Sequence, residues 1–326
     1  MASAPAPTPD FAAVLDAWGL AAARVSPLDG AEDRWRVEDA GEPLVLRRYG
    51  PARSADALAY EHELLAFLAE RSWPVAVPVA TSGGATSVEA EGARWAVLPL
   101  LPGAPPPDES IFLQRRGALL ALVHADLVDW PGRVPRGRVD DFDAAVRPHG
   151  LASFEALLAR VHAVDPMRAN MLAVLRARVE EQLAAYGYAD LAPLPLWGAC
   201  TSEHVLFDGN DVTGLIDVAE AQADSRAVDI AQSLLADTRS IGWRIIRWVA
   251  GYSAHANPPL TEQEADLVPV AMAALMLSRT AGTLAARAAE GLDAAVLAIV
   301  DEALTVEANE DDLRQVIRTA ARLAPV

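Results

Sequence analysis

The sequence predicts an α+β protein of two lobes, a small β-rich N-terminal lobe and a larger helical C-terminal lobe. Three observations carry this. Short β-prone runs surround a single helical segment in the first hundred residues. A Pro-rich stretch at 104–108 then reads as a linker. From Ser110 onward, apolar residues recur at helical spacing.

Residues 1–10, rich in Ala and Pro, read as a disordered tail ahead of an N-terminal lobe at 11–103. Within that lobe, 35–37 and 44–49 are β-prone runs separated by Asp39, Gly41 and Pro43, a hairpin signal. Residues 54–70 set Leu58, Leu64, Leu65 and Leu68 at helical spacing, with Ser54 or Asp56 as N-cap. Residues 95–101 form a compact apolar strand ending at Pro102 and Gly103, where the lobe boundary is placed. In the C-terminal lobe, 104–326, the segments 112–127, 154–164, 169–186, 241–254 and 261–287 carry helix patterns. A β interlude interrupts them. The runs 204–207 and 212–216 flank Asp208-Gly209-Asn210-Asp211, a strong turn, and place one hairpin within 196–217.

Composition narrows the function. A net charge of −18 argues against a nucleic-acid partner, which clustered cations would hold. An acidic surface favours a cationic small-molecule ligand, although solubility explains the same charge. No stretch reaches the ~18 uninterrupted apolar residues of a membrane span, so no membrane partner is expected. Cys200 stands alone, which excludes an internal disulfide and fits a cytoplasmic setting. All 27 basic side chains are arginine. The absence of lysine excludes a Walker P-loop and Schiff-base chemistry. G-x-S-x-G, H-E-x-x-H, paired CxxC and G-x-G-x-x-G patterns are absent as well.

The hairpin holds the first candidate site. Asp217 follows an apolar run and His204 begins the opposite one, so a shared divalent metal is possible at the strand ends. A strand-end Asp also serves as a turn residue, and a lone His as a structural one, so the pair alone does not select a function.

The segment Leu196-Trp197-Gly198-Ala199-Cys200-Thr201-Ser202-Glu203-His204, continued through the hairpin to Ile216-Asp217, resembles a known active-site block. It is that of the aminoglycoside phosphotransferase and choline kinase family: H-G-D-x-x-x-x-N, a hairpin, then I-D-[WF]-G-D-A. The continuation at 220–231 resembles the family's D-A-x-x-G-D-P-x-x-D-L-A. Upstream, 44–49, 60–68, 74–78, 95–103 and 119–124 resemble its cation strand, following helix, V-P-x-P segment, hinge and L-x-x-L-H helix. The ordered set spans roughly residues 25–290 and implies a protein-kinase-like fold, with ATP or GTP and Mg²⁺ as cofactors.

Carried over residue by residue, the resemblance makes Arg47 the phosphate-binding cation, paired with Glu61. Arg48 is the neighbouring alternative, and strand alternation sends only one of the two inward. The backbone from Leu98 through Leu100 to Leu101 faces the adenine, with Pro99 lacking a donor. Asp217 resembles the main magnesium ligand, and His204 stands in place of the Asn ligand.

The departures from the pattern bear on function most. The family's catalytic aspartate falls on Ala199 and its histidine on Trp197. The I-D-[WF]-G-D pattern becomes Asp217-Val218-Ala219-Glu220. A general base contributes roughly 10²–10⁴-fold, and alanine has no proton acceptor. Glu203, Glu220 and His204 are candidates for a displaced base. Two functions follow: a catalytically impaired, pseudokinase-like binder of nucleotide or small molecule, or an ATP-dependent kinase of a small hydroxyl compound using an unusual base. A scaffold that binds neither nucleotide nor metal is the third possibility.

Overall fold

A computed structural model describes residues 9–28, 33–38, 41–50, 53–132, 137, 139–198, 200–217, 222–237, 242–288 and 290–322. They form two compact units. The first comprises Met1–Pro105 with Val205–Ile216, and the second Pro106–His204 with Asp217–Val326. The hairpin assigned from sequence to the helical lobe thus groups with the β-rich unit.

The first unit opens with α1 (Phe11–Leu15), N-capped by Asp10. Asp10 is thereby a structural residue, although the sequence pattern assigns it to the tail. A five-stranded antiparallel sheet follows, in the order β1 (Arg24–Pro27), β2 (Arg34–Glu38), β3 (Leu44–Tyr49), β5 (Ala93–Pro99), β4 (Val88–Ala90). Between β3 and β4 runs α2 (Ala55–Glu70), whose cap is Ser54: its hydroxyl accepts from the Ala57 amide at 3.1 Å. Alternation splits the sheet into two faces. Val37, Leu46, Trp95 and Val97 pack with Val14 and Leu15 on one face. Tyr49, Ala96 and Leu98 pack with Leu58 of α2 on the other.

The hairpin of β7 (Val205–Asp208) and β8 (Asp211–Leu215) is held by the chain that leads out of the sheet. Ala104 and Phe207 exchange backbone hydrogen bonds at 3.0 and 2.8 Å, and the Leu215 amide donates to Pro74 O at 2.8 Å. Gly103 has φ +99, and a Cβ there would stand 2.2 Å from Thr213 Oγ1 and 2.9 Å from Phe207 O. Only glycine satisfies both demands.

The second unit is helical. It comprises α3 (Ser110–Leu127), α4 (Phe142–Val146), α5 (Phe154–His162), α6 (Pro166–Ala185), α7 (Arg226–Asp237), α8 (Trp243–His255), α9 (Glu262–Arg287), α10 (Ala294–Leu297), α11 (Ile299–Ala308) and α12 (Glu310–Arg322). A two-stranded pair, β6 (Leu194–Pro195) with β9 (Ala223–Asp224), precedes α7. The core helix is α9, which packs on α4, α6, α7, α11 and α12. It is apolar and long enough to cross a membrane, yet 72% of its most apolar window is buried inside the protein. A capping box of Thr261 and Glu264 starts it.

Candidate functional site

In the first unit, β3 decides which arginine faces α2. Arg47 lies on the Tyr49 side of the strand, and its Nη1 stands 3.4 Å from Glu61 Oε1. Arg48 points the other way, over the Trp35 ring at 5.6 Å. Strand alternation therefore resolves in favour of Arg47. Glu61 is 1% exposed and also receives Arg53 Nη2 at 2.7 Å and the Tyr49 hydroxyl at 3.5 Å. Sequence reasoning missed Arg53, which belongs to no strand or helix and to no family pattern. Its neighbour His62 is buried, and burial together with Arg47 and Arg53 lowers its pKa to about 4.

The proposed adenine segment continues β5. Leu98 pairs with Val45 of β3 and is buried. The Leu100 amide donates to Pro43 O at 3.0 Å, so it is already engaged. Since Pro99 has no N–H, Leu101 carries the remaining amide of this segment.

In the second unit, α7 pins the loop that resembles the catalytic one. Asp229 is fully buried and accepts from the Trp197 amide at 2.9 Å, the Gly198 amide at 3.1 Å and His124 Nε2 at 3.0 Å. The other ring nitrogen of His124 meets the Tyr252 hydroxyl at 2.8 Å, and burial raises the pKa of that phenol. One turn on, Ser233 Oγ accepts from the Cys200 amide at 3.1 Å. Asp229 and Ser233, four residues apart on one helix face, thus hold the backbone on both sides of position 199. Ala199 itself, and Glu220, lie outside the described residues. Trp197 is 2% exposed, so its ring fills space inside the unit. Cys200 is a buried thiol 3.6 Å from Arg116 O, a packing residue. Glu203 lies in a turn and is exposed.

His204 and Asp217 come together. They flank the two hairpin strands, whose register pairs Val205 with Leu215. His204 Nε2 is 3.4 Å from Asp217 Oδ2. Asp217 has φ +62, a left-handed conformation uncommon for residues other than glycine and concentrated at functional sites. Among the described residues no group of three or more His, Cys, Asp or Glu side chains could hold a metal. Two donors suffice for a cation that also takes phosphate oxygens. The mixed nitrogen and oxygen set suits manganese or zinc better than magnesium.

Comparison with known proteins places the chain in a family. The family model described as "Phosphotransferase enzyme family" matches residues 24–267. An uncharacterized protein of Synechocystis sp. is 29% identical over 248 residues, covering 72% of this chain and 65% of that protein. The chain therefore spans about two thirds of the length of this curated relative. A microcompartment-associated aminopropanol kinase superposes with a TM-score of 0.67 at 18% identity, over 95% of this chain and 97% of that one. Amicoumacin kinase, in complex with AMP-PNP, Ca²⁺ and Ami, gives 0.65 at 13% identity, over 89% and 88%. An aminoglycoside phosphotransferase from Alicyclobacillus acidocaldarius gives 0.59 at 17% identity, over 98% and 97%. These likenesses establish the kinase-like fold, an antiparallel N-terminal sheet with a larger helical part.

Proposed function

The chain belongs to the phosphotransferase enzyme family, and from that premise we propose a nucleotide and small-molecule binder impaired in ordinary phosphoryl transfer. One observation carries this reading. The family's catalytic aspartate position is Ala199, in a loop whose flanking amides are anchored by Asp229 and Ser233. The scaffold of the loop is retained while its proton acceptor is gone.

In this reading Arg47 binds the phosphates of ATP or GTP, and Leu98, Leu100 and Leu101 line the base. His204 and Asp217 hold the divalent cation that arrives with the nucleotide. That cation supplies charge stabilisation of the phosphates. The second ligand is an amine-bearing alcohol. The named neighbours act on aminopropanol, amicoumacin and aminoglycosides, and a net charge of −18 suits a cation.

Asp217, held left-handed beside His204, favours a second reading, slow phosphoryl transfer without a dedicated base. Phosphoryl transfer rests mainly on positioning and electrostatics. Calorimetric titration with ATP and GTP, with magnesium or manganese, tests the first reading, with ATP turnover measured in parallel. Binding accompanied by negligible amine-stimulated turnover is the expected result. No heat of binding and no rise in melting temperature at millimolar nucleotide would leave only the scaffold.

A further inference from the structure

Among the described residues eight large apolar side chains are exposed, and four of them gather at one place. Val164, Met167, Met171 and Val174 lie on α6 or in the turn before it. Scattered singly, exposed apolar residues are ordinary; gathered, they mark a contact surface. Met167, Met171 and Val174 stand at i, i+4 and i+7, so they share one helix face. Helix α11 packs alongside α6. With Leu175 of α6 and Leu304 of α11, the three line an open groove of about 540 Å³. Met167 and Val174 are each 67% exposed, so the described residues leave this face open.

Carboxylates outnumber guanidiniums at both ends of the groove. At one end Arg168 is shared between Asp165 at 3.0 Å and Asp301 at 2.9 Å. At the other, Arg178 pairs with Glu307, and the exposed Glu181 follows one turn on along the same face. The two cations are therefore already neutralised, and an acid is in surplus at each end. The ends, Asp165 and Glu181, stand ~24 Å apart along α6 at 1.5 Å per residue. An apolar stripe bounded by carboxylates selects an occupant with an apolar face bounded by cations. A second copy of this chain would bring the same carboxylates and its own net charge of −18 to the contact, and an anionic lipid surface would bring phosphates. Both are repelled. Two helices side by side leave a groove that a third helix fills, and methionines adapt to what enters it. We propose that the groove between α6 and α11 docks a basic amphipathic helix of a protein partner. Its apolar face covers Met167, Met171 and Val174, and its cations meet Asp301 at one end and Glu181 at the other. None of these residues is assigned to nucleotide or metal, so the proposal stands apart from the reading above.

The test is fluorescence anisotropy of a labelled peptide titrated with the full chain. The probe is a helix of about 18 residues, long enough to span the groove, with Leu along one face and Arg elsewhere. A peptide of the same composition in scrambled order is the control for charge alone. The amphipathic peptide is expected to bind roughly tenfold or more tightly than the scrambled one. Val174→Asn and Met171→Asn should each weaken it by roughly tenfold, and Glu181→Arg by about threefold or more, with the loss shrinking as salt screens the charge. Val174 and Met167 are exposed, so Val174→Asn and Met167→Asn carry the test if Met171→Asn lowers the melting temperature. Equal binding of the scrambled peptide, indifference to these variants, or no binding of the amphipathic peptide at hundreds of micromolar overturns the proposal. Two further measurements can also overturn it. Sedimentation showing a dimer that Val174→Asn dissolves would make a second copy the occupant. Flotation with phosphatidylcholine–phosphatidylglycerol vesicles, lost in the same variant, would make it a membrane.

Discussion

His62 follows Glu61 on α2 and is 4% exposed, with Nδ1 2.7 Å from Thr86 Oγ1. Its Nε2 has no hydrogen-bond partner among the described residues. A second proton would therefore bury a charged, unpartnered N–H beside two arginines. Burial first, then Arg47 and Arg53, set its pKa at about 4, against about 6.5 for an unfolded histidine. Between those values the unfolded chain binds a proton that the folded chain refuses. Stability from this group is complete above about pH 6.5 and is lost as pH falls toward 4, with a slope approaching ~1.4 kcal/mol per pH unit. Urea unfolding between pH 7 and pH 4.5 should show this loss, and His62→Gln should flatten it. An unchanged slope in the variant would assign acid sensitivity to other groups. Legibility also varies at this scale. The choice between Arg47 and Arg48 follows from alternation once β3 is placed. Arg53 carries no such signal, because its partner lies eight residues away across a helix cap.

Helices α3 and α8 cross more closely than side chains allow. A Cβ at Gly117 would lie 2.0 Å from Trp248 O, and one at Gly251 would lie 2.0 Å from Gln114 O. Both obstacles are backbone, which cannot move aside alone. Gly117→Ala should therefore destabilise by roughly 1–3 kcal/mol, as overpacking does, despite alanine's better helix propensity. Gly282→Ala on α9 is the contrast, since its Cβ would meet Ala145 O at 3.4 Å. It should be neutral or stabilising in thermal unfolding. Equal melting temperatures for the two variants would show that the crossing is not tight. The helices legible in the sequence, α2, α3, α5, α6, α8 and α9, are long and carry sustained apolar patterns. In α7 the pattern is broken because Asp229 and Ser233 are buried for their hydrogen bonds. In α12 the apolar residues of the buried face are Leu313, Ile317 and Ala320, and the charged Glu310 is buried with them. The hairpin's existence is visible in its turn residues. Its grouping with the first unit depends on Pro74 and Ala104, partners far away in sequence.

At the scale of the whole molecule, the chain belongs to the phosphotransferase family, and the proposed function turns on one position. Arg47 and Glu61 pair within the first unit, and the loop anchored by Asp229 and the pair of His204 and Asp217 lie within the second. The order of motifs made the fold legible. On the reading proposed above, the fate of the activity depends on position 199, where alanine stands at the position that the resemblance assigns to an aspartate. Restoring the carboxylate is the direct test. The variant should be Ala199→Asp alone at first, because Trp197 is buried and its shortening to histidine would leave a cavity. Large-to-small changes at buried tryptophan cost up to about 3–5 kcal/mol. The neighbours of position 199, Gly198 and Cys200, are tied to Asp229 and Ser233, so the backbone on either side of the new carboxylate is held. Amine-stimulated ATP turnover should then rise by roughly 10²–10⁴-fold over the parental chain, the contribution of a positioned general base. A parental chain that turns over ATP briskly, and loses that activity on Glu203→Gln or Glu220→Gln, would instead identify a displaced base and make Ala199 a tolerated change.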